Sequence, residues 1–142
     1  LNHLYGEDSC CTRVLYGHWK NPLNGFVYKG PIPGHGSVYT KSVYSRSKVS
    51  ICTGDSWFTD IGMSTTRIVQ GIRSGNLVLI DSEYVDANEQ LGSEFVVSSH
   101  KDVHKWLDSG NNNILEGIIS QFRQLQTWEE LLEPILDQVE NL

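Results

Sequence analysis

A chain of 142 residues with 39% apolar, 20% charged and 10% aromatic residues is long enough to bury one sizeable core and short for two, so a single domain over 1–142 is expected. Its net charge of -6, from eleven Lys and Arg against seventeen Asp and Glu, leaves no cationic face for phosphates and argues against nucleic acid as a partner. No apolar run approaches the roughly 20 residues of a membrane span, and no signal peptide is visible, so a soluble chain is expected, with the cytoplasm slightly favoured.

Residues 1–47 form a turn-rich segment. Asn21-Pro22, Asn24-Gly25, Gly30-Pro31 and Pro33-Gly34 are turn signals, and between them Gly25 to Lys29 and Ser37 to Tyr44 are β-prone runs that predict a hairpin or small sheet. Lys41, Arg46 and Lys48 are the one basic stretch, which reads as a solvated strand edge. The segment 48–112 mixes strands and helices. Lys48 to Cys52 is β-prone, and Leu77 to Ile80 is a continuous apolar run that reads as a buried strand. From Trp57 to Ile72 helical spacing of Phe58, Ile61, Thr65, Ile68, Val69 and Ile72 competes with a hairpin formed by 65–72 and 77–85; a helix or irregular segment covers more of the pattern. Glu94 to Ser98 predicts a short strand, and Asp102 to Leu107 a helical turn.

Residues 113–142 read as a helical pair. Ile114, Leu115, Ile118, Ile119, Phe122 and Leu125 make one apolar stripe; Trp128, Leu131, Leu132, Ile135, Leu136 and Val139 make a second. Thr127 with Glu130 has the form of a capping box, and Pro134 predicts a kink. The fold class expected is α/β or α+β, a small sheet with the two C-terminal helices packed on one face.

Three cysteines, Cys10, Cys11 and Cys52, form neither a disulfide framework nor a zinc pattern. Free buried thiols are the favoured reading, with one bridge from Cys52 to Cys10 or Cys11 left open. The five histidines show no metal spacing beyond the i, i+4 pair His100 and His104, so neither a metal nor a cofactor is expected.

The stretch that can carry chemistry is Val49-Ser50-Ile51-Cys52-Thr53-Gly54-Asp55-Ser56-Trp57-Phe58, a strand running into a Gly-Asp-Ser turn. A serine on such a turn presents its hydroxyl outward, and backbone N–H groups nearby can stabilise an oxyanion. The same three residues also suit a turn in which Ser56 caps a helix, with no chemistry at all.

This segment resembles the first sequence block of the SGNH (GDSL-type) serine hydrolases, in which the serine of Gly-Asp-Ser is the nucleophile. The resemblance implies a loop glycine whose backbone donates to the oxyanion, matched by Gly92 at the end of 88–92. It also implies an asparagine donor, matched by Asn112 within Gly110-Asn111-Asn112-Asn113, where Asn113 departs from the family's aspartate. The family's downstream Asp-x-x-His block is absent, because no histidine follows Asn112. His104 or His100, with Asp102, can substitute as the base only if the fold brings them to Ser56.

Gly54-Asp55-Ser56-Trp57-Phe58 is also similar to the Gly-x-Cys-Trp helix start of papain-like cysteine proteases, with Ser56 in the nucleophile's place. A third candidate, Cys52 with an upstream His18 or His35, faintly resembles small viral and lipid-modifying thiol enzymes; a buried structural Cys52 is the favoured reading. The sequence therefore points to a small serine hydrolase acting on an ester, or a degenerate relative, with a small-molecule or peptide substrate. The alternative is a non-catalytic binding module, viral or phage-encoded, in which 53–56 is only a capped turn.

Overall fold

The structure, a computed structural model, describes residues 4, 12–16, 20, 25–31, 37–53, 66–84 and 91–125. Two short strands come first, β1 (Val14–Leu15) and β2 (Val27–Tyr28), paired in parallel. They are followed by helix α1 (Ser37–Tyr44), strand β3 (Val49–Cys52), helix α2 (Thr66–Arg73) and strand β4 (Leu77–Asp81). A 3-10 turn at Ser93–Phe95 leads into β5 (Val96–Val97), and the described chain ends in helices α3 (His100–Asp108) and α4 (Asn111–Gln124).

The main sheet has the order β3-β4-β5 and both pairings are parallel. This is the mixed α/β class expected. Parallel neighbours require crossovers, and α2 is the crossover between β3 and β4. The central strand is buried at all five positions, which is why Leu77 to Ile80 reads as an unbroken apolar run and not as an alternation. Around it gather Ile68 and Ile72 from α2, Phe95, Val97, Val103 from α3 and Ile114 from α4. Helix α2 packs on β3 and β4, α4 on β4 and α2, and α3 on β5 and α4.

Several expectations change in detail. Ser37 to Tyr44 is a helix, not a strand. Its Val and Tyr are β-prone, but a helix here can pack on α2, and tertiary contact outweighs a weak local preference. The hairpin of 65–72 with 77–85 does not form, because 66–73 is helical and β4 pairs in parallel with β3. The helix preferred for 57–72 is present from Thr66; 57–65 lie outside the described residues. The strand expected at 94–98 is shorter, its first two residues belonging to the 3-10 turn. The helical turn at 102–107 is a full helix, because Ser99 and Asp102 form a capping box that starts it earlier. His100 and His104 accordingly share one helix. The second C-terminal helix expected, with Thr127, Glu130 and Pro134, falls on residues outside the described ones, as do Cys10 and Cys11.

The amino end of the sheet is tied by side chains. Asn76, just before β4, donates through Nδ2 to the carbonyls of Tyr44 (3.0 Å) and Ser47 (2.6 Å), closing the end of α1. Lys48, just before β3, donates to the carbonyl of Leu107 at 2.7 Å, so the C-terminus of α3 lies at this same end.

Candidate functional site at the carboxyl end of the parallel sheet

In open parallel sheets, binding groups collect beyond the carboxyl ends of the strands, where loops leave and helices begin. Here β3 ends at Cys52 and passes through Thr53 into Gly54-Asp55-Ser56, which lie outside the described residues. The central strand ends at Asp81, a residue only 3% exposed. Asp81 Oδ1 accepts the N–H of Glu83 at 3.1 Å and its carbonyl accepts the N–H of Tyr84 at 2.8 Å, so the aspartate braces the turn that leaves β4. Ser82 N–H in turn reaches the carbonyl of Val97 at 2.9 Å, joining the ends of β4 and β5.

Beyond β5, Ser98 and Ser99 deliver the chain to α3. Asp102 Oδ2 accepts from both backbone N–H groups (3.1 and 3.0 Å) and both hydroxyls (3.2 and 2.9 Å) of these serines. The Ser99 hydroxyl, then the Ser98 N–H, hold the Asp102 carboxyl below the usual carboxylate range. Asp102 is thus the helix-start carboxylate, favoured also by the positive end of the helix dipole. His100 and His104 lie one turn apart on α3, ring centroids 6.3 Å apart and nearly perpendicular. Asp102 is two residues from each, a spacing that puts side chains on different faces.

The other two expected oxyanion donors lie elsewhere. Gly92, at φ +82°, precedes the 3-10 turn that feeds β5, on the amino side of that strand. That left-handed backbone is what the glycine supplies to the turn, since the nearest atom to a side chain there, Glu94 Oε2 at 2.7 Å, is the flexible end of a glutamate. Asn112 is exposed in the first turn of α4, beyond the C-terminus of α3 that Lys48 holds at the amino end of the sheet. A helix of nine residues separates it from His100, about 12 Å of rise. The structure brings His100, Asp102 and Asp81 to the carboxyl end, with His104 one turn further along α3, and leaves Gly92 and Asn112 away from it.

Comparison with protein-family models, with curated proteins and with solved structures finds no match for this chain. The geometry alone bears on the remaining candidates. Cys52 is a free, buried thiol, and burial pushes it up to about 12 against the opposing charge of Arg67. A thiol so held has no thiolate near neutrality and is not a nucleophile. Among the described residues, no three His, Cys, Asp or Glu side chains gather as a metal site, and no helix is long and apolar enough to cross a membrane. Asp81 is the residue that sequence reasoning missed. Its signal was there: an acidic residue closing the apolar run Leu77 to Ile80 at a strand end.

Proposed function

We propose that the carboxyl end of the β3-β4-β5 sheet is the working face of a small serine hydrolase acting on an ester, with Ser56 as nucleophile and His100 or His104 as general base. The observation that carries this reading is the parallel order of the three strands. The Gly-Asp-Ser turn follows the carboxyl end of β3, and the helix bearing both imidazoles follows the same end of β5, two strand spacings or about 10 Å across. A loop and a helix entering from those two positions can close that span and set a hydroxyl against an imidazole. The buried carboxylate of Asp81 stands between them at the end of β4. Asp102, engaged by Ser98 and Ser99, supports the start of α3 and leaves the base to act in a serine–histidine pair.

A second reading is favoured by that same engagement of Asp102, together with the distance of Asn112 from this end. In it the face binds a small molecule or peptide without cleaving it, and Ser56 only closes a turn. Labelling of the full chain with a fluorophosphonate separates the two. Adduct formation lost in Ser56→Ala supports the hydrolase, and a folded wild-type chain that stays unlabelled leaves the binding module.

A further inference from the structure

Helix α4 is more apolar than its contact with the sheet requires. Ile114, Gly117 and Gln121 form its buried side. Leu115, Ile119 and Phe122, spaced i, i+4, i+7, form a second face and are 56%, 42% and 58% exposed. Val69 of α2 adds a further exposed apolar side chain. Between α2 and α4 runs a groove of about 300 Å³, lined by Ile72, Ile118, Ile119 and Phe122 and rimmed by Arg73 and Arg123. A neighbouring depression of about 430 Å³ shares Ile119 and Arg123 and adds Glu116, Ser120 and Gln124. A helix apolar on two sides needs cover on both.

We propose that the chain's own segment 127–142 provides this cover, docking as an amphipathic helix antiparallel to α4. Leu125 ends α4 in an extended conformation (ψ 116°), which leaves only Leu125 and Gln126 before Thr127. Connections of that length return a helix alongside its predecessor. The segment offers Trp128, Leu131, Leu132, Ile135, Leu136 and Val139 on one stripe, with Pro134 bending it between its two halves. Its charges are Glu129, Glu130, Glu133, Asp137 and Glu140, with no Lys or Arg. They complement the Arg73 and Arg123 rim.

Isotope-filtered NMR on the full chain tests this. Contacts between the Trp128 indole and the side chains of Ile119 and Phe122 are expected within one molecule, with slowed hydrogen exchange of amides 128–139. Ile119→Glu with Phe122→Glu is expected to speed that exchange at least about tenfold while the β4 amides stay protected. If β4 protection also falls, Arg123→Glu decides instead, and a smaller speeding confined to 128–139 is expected. Contacts seen only between differently labelled chains would make the occupant a second copy and overturn the proposal. Wild-type tail amides exchanging at unprotected rates, or rates unchanged in the variants, would overturn it equally.

Discussion

Gln121 of α4 holds the central strand by the backbone of Val78: its Oε1 accepts the Val78 N–H at 3.0 Å and its Nε2 donates to the Val78 carbonyl. Strand β5 joins β4 only from Ile80 onward, so among the described residues Val78 has no strand partner on that flank. A carboxamide carries one acceptor and one donor in the arrangement of a peptide unit, and the side chain stands in for the missing strand. Gln121 is wholly buried, and both ends of its amide are used here.

Gln121→Ala orphans two buried backbone groups at once and is expected to cost about 2–4 kcal/mol in urea unfolding, with unchanged m. Gln121→Glu makes a sharper test. Its protonated carboxyl can still donate to the carbonyl and accept from the N–H, but its carboxylate cannot donate. Burial raises the folded-state pKa of this glutamate above the unfolded value, so the variant is closest to wild type in acid and falls away as pH rises toward 7. A pH-independent deficit would contradict the pairing.

Gly71 of α2 faces Val78 from the other side. A Cβ built there would lie 2.5 Å from Val78 Cγ2, a β-branched side chain with restricted χ1 on the fully buried central strand. Alanine favours helix by about 1 kcal/mol over glycine, yet Gly71→Ala is expected to destabilise by about 1–3 kcal/mol because the clash outweighs the propensity. A rise in thermal midpoint would refute this packing.

The capping box of α3 predicts an acid-side pH dependence. The folded Asp102 carboxyl sits below its usual range, so its contribution is present above the unfolded pKa and fades as pH falls through the folded one. Asp102→Ala is expected to lose about 1 kcal/mol near pH 7. The wild type and variant should converge as the pH drops below that of ordinary carboxyl titration.

These elements differ in how openly the sequence displays them. The central strand was legible because burial on both faces leaves an unbroken apolar run, and the start of α4 was legible from helical periodicity. Helix α1 was not, since Val38, Tyr39, Val43 and Tyr44 prefer strands locally and only the contact of α1 with α2 makes the helix worthwhile. The capping box at Ser99 and Asp102 was written in the chain, but a carboxylate beside two histidines reads equally well as a catalytic acid until its oxygen is seen on the Ser98 and Ser99 amides. Gly92 and Asn112 fell in a plausible order along the chain. Order does not carry which end of a sheet a residue reaches.

Cys52 and Tyr44 predict the alkaline limit. Burial first, opposed by Arg67, holds the Cys52 thiol at about 12 against an ordinary 9.0; burial, then the neighbouring Cys52, raises the Tyr44 hydroxyl from 10.0 to about 12. Both keep their protons in the folded chain after the unfolded chain has released them. The contribution of these two groups is therefore full below pH 9 and declines above it, from about 9 for Cys52 and about 10 for Tyr44, by up to about 1.4 kcal/mol per pH unit for each group. Cys52→Ala should flatten the decline between pH 9 and 10, and the native thiol should react with a disulfide reagent only at the rate of unfolding. Rapid native labelling would show that the thiol is not buried.

The proposed base can be separated from its neighbours by three conservative variants on one short helix. His100→Gln and His104→Gln each remove an imidazole from α3 without touching its cap. If one imidazole takes the Ser56 proton, one of these variants should slow fluorophosphonate labelling at least about 100-fold, the contribution of a positioned general base. The other should label at the wild-type rate. Asp102→Asn is the control that the hydrogen-bond pattern demands. Its carboxylate serves Ser98 and Ser99 and lies off the histidine face, so this variant should lose helix-cap stability while its labelling rate, measured well below the unfolding transition, stays unchanged. A labelling rate that drops with Asp102→Asn as steeply as with a histidine variant would mean that the carboxylate turns toward the imidazole in the working protein, and the serine–histidine pair would have to be redrawn as a triad.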